Sequence, residues 1–235
     1  NSSTTIAAAA TLSGTGTVGG AVTNNGTLSP GDVSTPGVLT INNSLTLANA
    51  SSVSWLVGDW TGSAGTGYSR INTSSLAITA APATPVTIRI NAQSLAYFTE
   101  TNKTFTILSS TGAPTGFDPS KFVIDDAGFT AGGGTWSVQQ SGNNVVLVYT
   151  RANTPPSFTT DPIALNATED QALVASISAN DADSGETLTY TKTGGPSWLT
   201  VSSTGVLGGT PGNGDVGTSA FTVSATVSAC PAGAL

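Results

Sequence analysis

Apolar and polar residues alternate along this chain in short runs broken by Gly, Asn and Pro. Residues 11–20, 21–31 and 37–47 repeat the pattern loosely, as TLSGTGTVGG, AVTNNGTLSPG and GVLTINNSLTL. Alternation puts Val, Leu and Ile on one face of a strand and Thr or Ser on the other. Asn24-Asn25-Gly26 and Asn42-Asn43-Ser44 supply turn residues that tolerate positive φ. Rungs this short cannot each bury a core, whereas stacked rungs can, which predicts a parallel β-helix (solenoid). An antiparallel sandwich would use strands of the same spacing. The alternation continues at residues 53–57, 76–79, 86–90, 103–108, 135–138 and 144–150. Tyr97, Phe98, Phe105, Phe117, Phe122, Phe129 and Trp136 gather in this part and predict a cap that seals the open end of the solenoid. Asp118 ahead of Pro119-Ser120-Lys121-Phe122 predicts a short helical turn.

The pattern resets at Arg151-Ala152-Asn153-Thr154-Pro155-Pro156. Two prolines offer no N–H to a sheet, so residues 151–156 read as a linker between a domain at 1–150 and another at 157–235. Strands are expected in the second domain at 162–165, 172–178, 188–192, 199–201 with 206–207, and 220–227. The segment Ser228-Ala229-Cys230-Pro231-Ala232-Gly233-Ala234-Leu235 is too short and too broken for a closing strand. A sandwich one strand short, with a free edge beside 220–227, is the expectation.

Composition narrows the function. Charged residues make up 8% of the chain, against about 25% in an average globular domain. Six Lys plus Arg against thirteen acids, net −7, cannot build a phosphate-binding stripe, so nucleic acid is not an expected partner. Seven of the acids lie in the last third: Asp161, Glu169, Asp170, Asp181, Asp183, Glu186 and Asp215. No apolar run approaches the ~18 residues of a transmembrane helix. The chain contains no His, the commonest general base, and no nucleophile elbow or phosphate loop. Asp125 and Asp126 are adjacent and would point to opposite faces of a strand. Nothing here reads as an enzyme. Cys230 is the single cysteine, which excludes an intramolecular disulfide.

Two resemblances rest on these residues. Leu12-Ser13-Gly14-Thr15-Gly16-Thr17-Val18-Gly19-Gly20, Gly26-Thr27-Leu28-Ser29-Pro30-Gly31 and Pro36-Gly37-Val38-Leu39-Thr40-Ile41 resemble the autotransporter-associated β-strand repeat of bacterial surface and secreted proteins. That resemblance implies a right-handed parallel β-helix. Beyond the linker, five blocks resemble Ig-like, cadherin-type repeats of bacterial surface proteins: NTPP at 153–156, TEDQAL at 168–173, DADSGETLTY at 181–190, PSWL at 196–199 and GVLGGTP at 205–211. The resemblance implies an Ig-like β-sandwich and an extracellular or cell-surface location. It also implies Ca²⁺ at the interdomain junction, with Asp181, Asp183, Glu169 and Asn153 as ligands. Arg151 departs from it by placing a cation where such linkers tend to be acidic.

The fold class expected is therefore all-β, a parallel β-helix followed by an Ig-like sandwich. The expected role is structural: a self-assembling fibre or surface-array subunit joined head to tail to copies of itself. Residues 4–12 are apolar, small and uncharged. They suit either a first rung whose end stacks on a neighbour, or an arm that adds as a strand to a neighbouring sandwich. The strand-exchange edge would involve Thr5, Ile6 and Leu12 on one side and Phe221, Val223 and Val227 on the other. The alternative is a surface adhesin or carbohydrate-binding module, with Trp55, Trp60, Tyr68 and Trp198 as sugar-stacking platforms for glycans.

Overall fold

The computed structural model describes residues 2–92, 94–183 and 186–227. Residues 228–235, which carry Cys230 and the expected missing-strand position, lie outside the described residues. The chain divides into two units between Ala152 and Asn153. The last residues of the first unit are pinned to it: the Arg151 N–H donates to Asn102 Oδ1 at 3.0 Å and the Ala152 N–H to Glu100 Oε1 at 3.1 Å.

In the first unit the described strands are β1 (Thr4–Ile6), β2 (Thr11–Gly14), β3 (Gly16–Val18), β4 (Val22–Asn24), β5 (Thr27–Pro30), β6 (Val38–Leu47), β7 (Ser52–Leu56), β8 (Arg70–Ile78), β9 (Val86–Asn91), β10 (Lys103–Ser110), β11 (Phe122–Gly128), β12 (Thr135–Ser141) and β13 (Asn144–Thr150). They form two sheets. One runs β1-β4-β6-β8-β10-β13-β12, with β3 also on β6; the other runs β11-β9-β7-β5-β2. From β1 to β10, and throughout the second sheet, every ladder is parallel. Successive strands in the chain mostly alternate between the sheets, so each sheet is built from segments distant in sequence. The antiparallel pairs β10–β13 and β12–β13 end the parallel run.

Alternation decides which side chains go in. Strand β6 buries Leu39, Ile41, Leu45 and Leu47. Its Asn42-Asn43-Ser44 segment, expected as a turn, lies inside the strand as a shift of register against β8. The two halves of β6 take different neighbours on the other side, β3 and then β4. A bulge bends the strand without ending it, which is why turn-type residues appear there. The Thr73 hydroxyl fixes the bend by donating to the Asn43 carbonyl at 2.7 Å. The other Asn-rich segment does turn the chain. Asn24 is fully buried; its Nδ2 donates to the Ser52 carbonyl at 3.0 Å, and its Oδ1 accepts the Gly26 N–H at 3.1 Å. At Gly26 a Cβ would collide with the carbonyl oxygens of Ala7 and Ala10, so only glycine fits.

The core closes on aromatic rings. Trp60 sits within 4.8–6.1 Å, centroid to centroid, of Phe98, Phe105, Phe129, Trp136 and Tyr149. Trp55 packs on Phe105 at 5.0 Å and donates its Nε1–H to the Ser69 carbonyl at 2.8 Å. The aromatic cluster thus takes in Trp55 and Trp60 from before the stretch expected as a cap, and Tyr97 itself is 73% exposed. Tyr149 donates to Glu100 Oε1 at 2.6 Å; burial, aided by that bond, pushes its pKa up to about 12. The helical turn after Asp118 forms as a single 3-10 turn at Pro119–Lys121, with the Asp118 carboxylate accepting from the Ser120 N–H at 2.9 Å. The Ser120 backbone and hydroxyl bonds hold the Asp118 carboxyl below its ordinary range.

The second unit contains β14 (Ser157–Phe158), β15 (Leu173–Ser176), β16 (Ala179–Asn180), β17 (Leu188–Gly194), β18 (Thr200–Val201), β19 (Val206–Gly209) and β20 (Thr222–Val227). All its ladders are antiparallel: β14–β16, β15–β19–β18 and β17–β20. Ile177, Ala179, Tyr190, Leu199 and Leu207 form the buried core, with Phe158, Ile163, Trp198 and Phe221 packed against it. The Tyr190 hydroxyl accepts the Ala179 N–H at 2.9 Å, whereas the buried Trp198 Nε1–H has no partner among the described residues. Residues 162–165, expected as a strand, form a bend and irregular backbone with no ladder partner among the described residues. Pro162 has no N–H to give a sheet, and Ile163 is held by side-chain packing alone.

Candidate metal centre

Strand β16 ends at Asn180 and delivers the chain into the acidic loop. The Asp183 N–H bonds back to Asp181 Oδ1 at 2.7 Å, an Asx turn that folds both carboxylates to one side. The Thr154 N–H donates to Asp183 Oδ2 at 2.6 Å, tying the start of the unit to the loop. Ligand atoms of Asp181, Asp183 and Glu186 lie within 4.8 Å of one another, and all three residues are half-buried. Asp181 Oδ2 is buried with no hydrogen-bond partner among the described residues. Ser184 and Gly185, inside the same loop, lie outside the described residues.

Of the four residues expected as ligands, the structure brings two together. Asp181 and Asp183 come together as the sequence suggested. Glu169 does not join them; it lines a separate cleft beside Trp198, Asp215 and Phe221. Asn153 is exposed, next to the Thr154 that bonds Asp183. Glu186 is the third carboxylate of the group, and the spacing Asp-x-Asp-x-x-Glu in one loop was the available signal. Three carboxylates at this separation suit a hard cation that takes oxygen ligands, as Ca²⁺ does.

The residues expected at the assembly edge and at a glycan face are also placed. Thr5 and Ile6 lie in β1, paired with Thr23 and Asn24 of β4, and Ile6 is buried; Leu12 lies in β2, paired with Leu28. Both strands of this stretch are paired within the first unit. Val223 and Val227 face Lys192 and Leu188 across the β17–β20 ladder, and Phe221 precedes it. Trp55 and Trp60 are 0% and 1% exposed, so neither offers a face to a sugar ring; Tyr68 packs on Phe105 at 5.1 Å. Trp198 is half-buried in the cleft with Glu169.

Residues 155–230 match the family model described as Putative Ig domain, a span that contains every described strand of the second unit. That unit is Ig-like. No curated protein and no solved structure matches the chain.

Proposed function

We propose that this chain is a non-enzymatic structural module of an extracellular or cell-surface protein, and that copies of it associate end to end. The first unit is read as a parallel β-helix, and the parallel ladders from β1 and β2 onward support that reading. The observation that carries the assembly is the edge these ladders leave. Among the described residues β1 and β2 are each paired on one side only. Natural edge strands are commonly guarded by charge, Pro or a bulge. Residues 4–14, which form β1, β2 and the turn between them, carry no charge. End stacking keeps β1 where it is, whereas donating residues 4–12 to a neighbour would break the β1–β4 ladder and expose Ile6.

Purified protein should form concentration-dependent oligomers or filaments, read by light scattering and negative-stain microscopy. Lysine at the exposed edge positions, Thr5→Lys with Thr11→Lys, should return it to monomers with the melting temperature little changed. Monomers at every concentration in the unmutated chain would rule the assembly out.

The acidic loop is read as a Ca²⁺ site formed by Asp181, Asp183 and Glu186, the orphaned Asp181 oxygen being the feature that fits a cation. Millimolar Ca²⁺ should stabilise the second unit by about 1.4 kcal/mol at ten times the dissociation constant. Asp181→Asn with Asp183→Asn should abolish that gain. No heat in calorimetry and no shift in melting temperature would dismiss the site.

A further inference from the structure

Asparagine followed by glycine is the pair at which a main chain most readily attacks its own side chain, because glycine carries no Cβ to hinder the approach and moves freely in φ and ψ. The chain has two such pairs, Asn25-Gly26 and Asn213-Gly214. The fold treats them oppositely. Gly26 is buried, and its N–H donates to Asn24 Oδ1 at 3.1 Å. The Ser52 N–H donates to the Gly26 carbonyl at 2.7 Å, and the Asn25 N–H donates to the Ile6 carbonyl at 3.0 Å. The carbonyl oxygens of Ala7 and Ala10 close the remaining space around Gly26. Asn213 and Gly214 are both exposed, in a single 3-10 turn at Asn213–Asp215. A Cβ built on Gly214 meets nothing within 4 Å. Neither the Gly214 N–H nor the Asn213 carboxamide has a hydrogen-bond partner among the described residues. Two bonds close the turn around them: the Asp215 N–H donates to the Gly212 carbonyl at 2.9 Å, and the Gly212 N–H to Asp215 Oδ2 at 3.0 Å.

We infer that Asn213 is a site of spontaneous modification, where the chain converts its own carboxamide to aspartate and isoaspartate with water as the only co-reactant, while the fold holds Asn25 unreactive. Loss of the Gly214 amide proton to hydroxide frees its nitrogen to attack Asn213 Cγ. The new N–Cγ bond closes a five-membered imide, the bond from Cγ to the side-chain nitrogen breaks, and ammonia leaves. Water then adds to one imide carbonyl and breaks that carbonyl's bond to nitrogen. Opening at Cγ leaves aspartate. Opening at the main-chain carbonyl leaves isoaspartate, with one extra methylene in the backbone between residues 213 and 214. The same attack at Asn25 requires Gly26 to leave its bonds to Asn24 and Ser52. Either product adds a negative charge to a unit that, from Asn153 onward, has seven acids and one cation, Lys192. The extra methylene also falls inside the turn, so the two bonds between Gly212 and Asp215 lose their spacing. That turn walls a cleft of about 410 Å³ beside Trp198 and Leu199, and the neighbouring Pro211 carbonyl accepts the Asp170 N–H at 2.9 Å. Isoaspartate at 213 therefore loosens the second unit. This chemistry is independent of the end-to-end assembly, which concerns the β1 and β2 edges.

The test holds the full chain at mildly alkaline pH in oxygen-labelled water and follows both asparagines by peptide mapping and mass spectrometry. Asn213 should exchange its side-chain nitrogen for labelled oxygen at least about tenfold faster than Asn25, because opening the Asn25-Gly26 segment breaks more than one hydrogen bond. Part of the product at 213 should be isoaspartate, read by electron-driven fragmentation. In urea the two sites should convert at similar rates. Gly214→Ala should suppress conversion at 213 with the melting temperature unchanged. The separated isoaspartyl form should melt below the fresh protein in the transition of the second unit. An unconverted Asn213, or equal conversion of both sites in the folded chain, would overturn the inference. So would a difference that persists in urea, because the local sequence and not the fold would then make the choice. An isoaspartyl form that melts with the fresh protein would overturn the loosening of the second unit.

Discussion

Replacing Trp60 with alanine should destabilise the first unit by about 3–5 kcal/mol, the range for removing a large aromatic from a packed core. Trp60 is 1% exposed and lies in ring contact with Phe98, Phe105, Phe129, Trp136 and Tyr149. These rings come from loops and strands far apart in sequence, so a void at Trp60 loosens several elements together. The cavity cannot collapse easily, because the neighbours are rigid rings, four of the five held edge to face. Trp60→Phe should cost much less. It removes part of the volume but also removes an Nε1–H that is buried with no partner among the described residues. An unsatisfied buried donor costs about 1–3 kcal/mol, which offsets much of the lost packing. Urea unfolding followed by near-UV circular dichroism checks both values. Equal losses for the alanine and phenylalanine variants would show that ring packing at this position is not what holds the unit.

Gly209→Ala should destabilise the second unit by about 3 kcal/mol or more. Gly209 has φ +124°, a region that L side chains rarely adopt. An added Cβ would also lie 1.9 Å from the Trp198 carbonyl oxygen, far inside van der Waals contact distance. That obstacle is backbone and cannot rotate away. Moving it would displace the Trp198–Leu199 segment, and Leu199 is one of five buried core residues. A small core has little to spare for such a shift. Gly214 is the control: a Cβ there meets nothing within 4 Å and its φ is unexceptional, so Gly214→Ala should change stability by no more than about 0.5 kcal/mol. Thermal unfolding of the two variants separates steric cause from a general glycine effect. If both melt alike, the clash is not the reason for glycine at 209.

The two variants mark the limit of what a linear reading carries. Alternation identified the core faces: Leu39, Ile41, Leu45 and Leu47 alternate in sequence and are buried in the fold. The Gly-Gly-Thr-Pro block was visible at 208–211, and its cause, the Trp198 carbonyl packed against Gly209, was not. The carboxylate group was half legible. Asp181 and Asp183 share an Asx turn, which is local, while a distant Glu169 was preferred to Glu186 five residues on from Asp181. Asn42-Asn43-Ser44 had turn composition but sits in a bulged strand, because β3, β4 and β8 supply neighbours on both sides.

By itself, then, the sequence determined an all-β chain with its break near residue 152, the inward-facing positions of its strands, a low-charge N-terminal part and an acidic second unit. These arise from period, Gly and Pro placement and composition, which act over a few residues. Only the tertiary structure decided which strands pair and in what direction, that Thr4–Ile6 and Thr11–Gly14 are paired within the first unit, and that Trp55 and Trp60 are core. Those outcomes depend on backbone groups and rings brought together from tens of residues apart, and no local pattern encodes their meeting.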